Sequence, residues 1–557
     1  MKTFRVWCFL GVFAVGACAS VKPASTTDGT GGVAATGGTT GQPGSGGAGG
    51  ATMSGSGGAG NTVPTNCAPA CTDFPADPII APGAPADAPT TFGPAGSGNK
   101  GAAPCLLEPQ DQTLFPGNWL RPRFSFQGAA GQTAYELRLH NENEKNDLVV
   151  YTSSTTWTMP KDMWQGLTTH ASGKPITVTV RGMAKTGTTT TIGVAAPATF
   201  SIAPVGVSGS IVYWTTAGQS ALKGFRVGDE TVSTVLTPDQ VSPSVKCIGC
   251  HLSTPDGLFI GMAANNSTYN ADPASLAIRS GTTMQAPAFL TPVATMLLSR
   301  AYQPVVAFSA AHWNAGDHRA LSLLNNSDIV WTDLETTSMT EGTGWGRIAR
   351  TGDTNRPVTP AWSHDGETIV YTSASGTTDT GLRVLSGLGS LYTVPYAAGK
   401  GGTAIALKGG ADPQFHGYYP AFSPDDHFIA FNRAPSSGTN YDVPGAEVFL
   451  LPREGAATPT RLVANDPPAC ANRKSPGLTN SWPKWAPTVT KSGETSYYWL
   501  TFSSRRGAGG APQIFITAIT ANEVGVVTTY PAIYVWNQPA AESNHTPAWD
   551  AFQIAIP

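Results

Sequence analysis

Four stretches in the C-terminal half repeat one local pattern. Residues 360–371 read PAWSHDGETIVY and residues 420–431 read PAFSPDDHFIAF. Residues 483–487 read PKWAP, with YWLTFSS following at 498–504, and 547–550 read PAWD ahead of a short apolar tail at 552–556. The copies lie about 60 residues apart, long for a repeat because loops intervene. Each has the same logic. The apolar pair after proline starts a strand, Asp-Gly supplies the positive φ of a tight hairpin, and a β-branched and aromatic strand returns. A single hairpin of this kind leaves open edges and cannot bury both faces. Several copies packed around an axis can, which makes a β-propeller.

The Pro-Ala-Trp-Ser-x-Asp-Gly form resembles the TolB-like (WD40-like) propeller family, usually six-bladed, over residues 209–557. Blade one opens at Cys250–Ile260, and blade two spans 305–331 with the degraded motif Val306-Ala-Phe-Ser309. Residues 358–407, 418–463 and 481–520 hold blades three to five. The C-terminal Trp549–Ile556 lacks an outer pair, and Ser210–Trp214 with Gly224–Val227 lacks an inner one. Joined, they complete a sixth. The expected fold class is all-β: a six-bladed β-propeller preceded by a small β-sandwich. The sandwich is placed at 105–204, where YELRL (135–139), LVVY (148–151), ITVTV (176–180) and FSI (200–202) follow PRFSF (122–126). Their order resembles a fibronectin type III domain and implies a spacer or docking module.

Lys2 and Arg5 precede an apolar run too short to span a bilayer, so residues 1–17 are expected to be a secretory signal. Val15-Gly-Ala-Cys18 resembles a lipobox, which implies acylation of Cys18 and a membrane partner through the lipid anchor. Ala19 follows where an inner-membrane retention signal would have Asp, so the expected location is a cell-envelope lipoprotein of the outer membrane. Residues 18–65, rich in Gly, Ser and Thr, are a flexible tether. Residues 66–104 are an irregular Cys-containing connector. Charged residues are 12% of the chain with no basic stripe, which argues against a nucleic-acid partner.

The chemistry concentrates at Cys247-Ile-Gly-Cys250-His251. Two thiols at this spacing reach both vinyl groups of a haem, and the adjacent imidazole of His251 binds its iron. Covalent haem c is the expected cofactor, and an exported chain is where it is attached. A zinc knuckle needs a second Cys/His pair nearby, and a thioredoxin-type motif needs a helix that Thr254-Pro-Asp-Gly257 forbids. A local disulfide stays open in an oxidising compartment. Aligned with the repeats, Cys250-His251 falls near Thr359-Pro360, ahead of an inner strand, so a haem would cap the channel mouth. His545, two residues before its proline in the closing blade, is the candidate sixth ligand. His416, His312 and Met262 follow in that order, and Arg505-Arg506 is a candidate propionate partner. His364 and His427 are expected to be solvated, and Asp256, Asp365 and Asp425 to shape turns.

Three functions remain open from the sequence. The first is electron transfer by an envelope-anchored c-type haem protein with a redox protein partner. The second is catalysis at an open iron site, since haem c in a TolB-like propeller also resembles the hydrazine synthase α-subunit. The third is a haem-free propeller that binds proteins or glycans, with Cys247–Cys250 a plain disulfide. Whether the chain is an enzyme is left open. Of the remaining cysteines, Cys67–Cys71 with Cys105–Cys470 is the pairing that would fasten sandwich to propeller.

Overall fold

The computed structural model describes Cys67 and residues 70–554, apart from 99–100, 217–219, 267–274, 301–305, 326, 380–382, 437–439, 441 and 508. The expected leader, Cys18 and the tether lie outside the described residues. The chain is all-β in character, with short helices between many sheets.

After residue 209 six main sheets follow one another among the described residues. Sheet I is Cys247–Ser253, Phe259–Asn265 and Ser275–Ser280, and sheet II is Arg319–Leu324, Asp328–Asp333 and Trp345–Arg347. Sheet III begins with Arg356–Trp362, sheet IV with Phe415–Phe422 and sheet V with Ser481–Trp485. Sheet VI is composite. Its strand Asn544–Asp550 pairs antiparallel with Ser210–Thr215, which continues to Ala221–Arg226 and Ser233–Leu236. In sheet II the first strand is reduced to the bridge Ala307–Leu321.

The repeated turn explains the sheet-to-sheet spacing. Asp256, Asp365 and Asp425 each accept a hydroxyl through Oδ1, from Thr254 (2.5 Å), Ser363 (2.5 Å) and Ser423 (2.7 Å), and cap the backbone N–H two residues on. Gly257 and Gly366 supply the left-handed residue of this turn, and Asp426 supplies it in sheet IV. The other oxygen of each turn aspartate is held by a residue of the following sheet or of the segment next to it. Trp313 Nε1 donates to Asp256, Arg453 to Asp365 and the Tyr498 hydroxyl to Asp425. These residues therefore tie neighbours together as well as shaping turns.

Strands such as Thr368–Ala374 are buried on nearly every residue, because both faces are covered. The facing apolar sets group by neighbour. Val212, Trp214 and Ala548 pack on Ile248, Ile260 and Met262, while Leu276 and Ile278 pack on Val306, Phe308 and Ala320. Leu321 and Trp331 pack on Trp362 and Ile369, and Val370 and Leu391 on Phe422 and Phe431. Ala430 and Val448 pack on Trp485 and Leu500, and Trp499 and Ile516 share a cluster with Ile211, Tyr213 and Trp549.

That last cluster also contains the N-terminal sheets. A seven-stranded sheet built on Gln132–His140 and Ile176–Thr186 faces a three-stranded one made of Cys105–Glu108, Arg123–Gln127 and Thr156–Thr158. Within it Arg181 and Glu136 form a fully buried ion pair. The connector at 66–104 is more ordered than its composition suggested. Ile79–Ile80 adds an edge strand to Leu148–Thr152, and Ala88–Phe92 forms a short helix, because Phe74 and Phe92 have apolar surface to bury. Cys67 is bonded to Cys71, and Cys105 to Cys470, so the second disulfide ties the sandwich to the segment between sheets IV and V.

Candidate functional site

Five of the first strands carry the same irregularity. Pairing shifts register between Gly249 and Leu252, Val358 and Ala361, Tyr418 and Ala421, and Ser481 and Lys484, and opposite 545–548 in sheet VI. At each bulge one residue has a positive φ: Cys250 (43°), Thr359 (45°), Tyr419 (52°), Trp482 (62°) and Thr546 (44°). None is glycine, so each position is strained and held by its surroundings. Cys250 is thus the counterpart of Thr359. His251 is the counterpart of Pro360, Pro420, Pro483 and Pro547. The motif lies inside the strand Cys247–Ser253 rather than ahead of it, which corrects the sequence expectation.

The bulge sends the motif's side chains to different places. Cys250 is buried among Tyr418, Tyr419 and Trp482 of sheets IV and V. Burial pushes its thiol up to about 12, so it is protonated at neutral pH. Cys247 belongs instead to the cluster shared with sheet VI, its Sγ 3.7 Å from Ser220 Oγ. His251 is 3% exposed and donates from Nε2 to the Val212 carbonyl at 3.0 Å, which leaves the buried Nδ1 without a partner. Burial lowers the imidazole to about 4, so the ring is neutral. A Cys247–Cys250 disulfide is not formed, since Cys250 is a free thiol.

The donor chemistry fits haem c in two of its three parts: a free thiol at Cys250, and a neutral imidazole at His251 with an open ring nitrogen. The third part does not lie with them. Cys247 faces sheet VI, and joining both thiols to one porphyrin requires Cys247–Gly249 to leave its pairing with Ala263–Asn265.

His545 pairs across from Trp214 and stacks on its indole, with ring centroids 4.4 Å apart. Burial first, then Arg505, lowers its imidazole to about 3. His545 and His251 thus both engage the strand Ser210–Thr215, each with its own partner, at Trp214 and Val212. His416 accepts from the Gly389 N–H, His312 is paired with Asp317, and Met262 is buried in the cluster between sheets VI and I. Arg505 is bound to Asp442, and the Arg506 guanidinium donates to Ala464 and Asn480. His364 is solvated as expected, its side chain 41% exposed. Its Nδ1 also bonds Asp426 at 2.8 Å, and Asp426 accepts the backbone N–H groups of His364 and Asp365, holding that turn against sheet IV.

The sequence reading missed a second feature. A cavity of about 190 Å³ is lined from all six sheets, by Leu252, Ala307, Ala361, Ala421, Lys484 and Trp549 among others. In the sister strands, the position of Lys484 holds Leu252, Ala361, Ala421 or Ala548. Asp550 also lines the cavity, and its Oδ2 accepts the Ser253 N–H at 3.1 Å. Burial raises its carboxyl to about 6 and lowers the Lys484 ammonium. The signal for Lys484 was a charged residue inside a Pro-x-Trp repeat, legible only once the strands are superposed on their bulges.

No family model and no curated protein matches the chain. Among solved structures, hydrazine synthase of Kuenenia stuttgartiensis aligns at 14% identity and TM-score 0.30, covering 58% of this chain and 92% of that one. A puromycin-hydrolysing peptidase of Mycobacterium tuberculosis aligns at 12% and 0.28, covering 64% and 51%. An ancestral GH74 enzyme aligns at 9% and 0.35, covering 59% and 39%. At these scores none of the three carries an argument about this chain.

Proposed function

We propose that this chain is an envelope-anchored c-type haem protein built on a closed six-bladed β-propeller, and that it takes part in electron transfer with a redox protein partner. The reading of the ring is supported by six apolar clusters, one between each pair of successive sheets, and by the cavity that all six sheets line. The observation that carries the haem reading is a substitution within the repeat. Where four sister strands place proline, this strand alone places histidine, flanked by a free thiol at the bulge and a second cysteine three residues earlier.

In the proposed holoprotein Cys250 and Cys247 would hold the group through thioethers, Cys247 only after reduction of the disulfide that its sulfur forms in this structure, and His251 would be an iron ligand. When bound, the group supplies a one-electron iron couple. The chain's own contribution is a dry, aromatic setting from Tyr418, Tyr419 and Trp482, and an imidazole kept neutral by burial. His545 is the proposed second ligand. An open iron site with catalytic activity is the competing outcome.

The test is expression in a host with cytochrome c maturation, followed by a visible spectrum and a denaturing gel stained for haem. Haem that stays with the chain, and is lost in Cys250→Ala, is expected. A folded product with no covalent haem overturns the reading. A low-spin spectrum unaffected by carbon monoxide supports electron transfer, and a carbon monoxide-sensitive one replaces it with catalysis.

A further inference from the structure

The lysine in the central cavity has no explanation in the repeat. Burying an ammonium is costly unless a carboxylate or another strong acceptor meets it. Among the described residues Lys484 forms no ion pair; Asp550 attracts it through space without contact, and its Nζ lies 5.9 Å from the centroid of the Trp482 ring. Asp550, the carboxylate that shares the cavity, already accepts from the Ser253 N–H. His364, also in the lining, is engaged by Asp426. Beside the polar Ser253, Thr254, His364 and Asp550, the wall carries the aromatic rings of Phe308, Trp362, Phe422, Trp485 and Trp549. The site therefore offers one cation without a contacting carboxylate, with Asp550 held on the Ser253 N–H, in a partly open aromatic cavity of about 190 Å³.

We propose that this cavity is a binding site for a small carboxylate with an apolar body, its anionic group meeting Lys484 and its body packing on Trp362, Trp485 and Trp549. Lys484 completes its coordination when such a ligand is present, and the small residues Ala361 and Ala421 at the equivalent positions of the lining leave the space the ligand fills. An ammonium-bearing ligand is disfavoured by the same lysine, and a large or strongly polar one by the walls. This inference rests on the cavity and not on the haem reading, so either can fail alone.

The experiment uses the full chain and three probes: benzoate, 3-phenylpropionate and hexanoate, with benzylamine as the charge-reversed control. Saturable one-site binding by calorimetry at neutral pH, with a matching rise in melting temperature, is expected for at least one carboxylate. Lys484→Met should weaken that binding by about tenfold or more. Because Met keeps the length of the side chain and removes a poorly compensated charge, the variant should fold, as judged by its circular dichroism. No saturable binding of any carboxylate at about 10 mM, equal affinity in Lys484→Met, or preferential binding of benzylamine would each overturn the proposal.

Discussion

The strands Cys247–Ser253 and Arg356–Trp362 follow one backbone path with different contents. Both open a sheet, shift register at a positive-φ residue, and end in a turn closed by an aspartate. Arg356–Trp362 places Thr359 and Pro360 at the bulge, and Cys247–Ser253 places Cys250 and His251 there. Proline at the second bulge position in four strands indicates that the backbone N–H there is not needed by the sheet. That position is free to vary, and chemistry can be installed on it without disturbing the hydrogen-bond ladder. The difference also lies in the neighbours. Arg356–Trp362 packs on continuous sheets, while Cys247–Ser253 leans on composite sheet VI, through His251 on Val212 and Asp550 on Ser253.

Four experiments act on this contrast. Removing residues 544–554 should be the most severe, since it strips the first strand from sheet VI and Trp549 from the core. A loss of about 5 kcal/mol or more is expected, comparable to the whole stability of many domains. Hydrogen exchange should show amides of 247–265 opening before those of 368–374. Equal protection in both regions would break the comparison. Cys470→Ser should cost about 3–5 kcal/mol by releasing the long loop closed with Cys105. Denaturant titration reads it, and both strands should keep their exchange protection in the native baseline.

The third experiment is a pH titration. Asp550 binds its proton more tightly folded than unfolded, so the folded state holds more protons between about pH 4 and 6. Stability should therefore fall as pH rises through that window, by about 1–2 kcal/mol after allowance for its partial exposure. Asp550→Asn should flatten that slope, as measured by melting at successive pH values. The smallest effect is expected for the double change Cys250→Thr with His251→Pro, which rewrites the bulge as sheet III has it. Stability should move by about 1 kcal/mol or less, while the covalent haem attachment proposed above should be abolished. Collapse of the fold would show that the two bulges are not interchangeable.

Much of the architecture was legible because the signals were local. Ser-x-Asp-Gly turns and their return strands stand where the sequence places them, and the pairing of Asn544–Asp550 with Ser210–Thr215 follows from two half-complete patterns. The pairing of Cys105 with Cys470 also agrees with the expectation. The bulge was not legible, since Cys, Thr, Tyr and Trp share no feature that announces a positive φ. Without it, the alternation of the strand puts Cys247 and Cys250 in the wrong relation. Lys484 was hidden for another reason: a lysine beside tryptophan reads along the chain as a surface residue, and only six strands meeting at one cavity place it, half-buried, on that cavity's wall.

Sheet VI has a consequence for how the protein is made. Its strand Ser210–Thr215, buried at every residue, is synthesised early, while the partner that covers one of its edges comes from residues 544–550. Until those residues arrive, the emerging chain displays the open edge of SIVYWT, a template for pairing with other chains. Sheet VI thereby acts as a length gauge. A product cut short before residue 544 keeps that edge exposed, and quality-control proteases and chaperones that read exposed strands can tell it from a finished one.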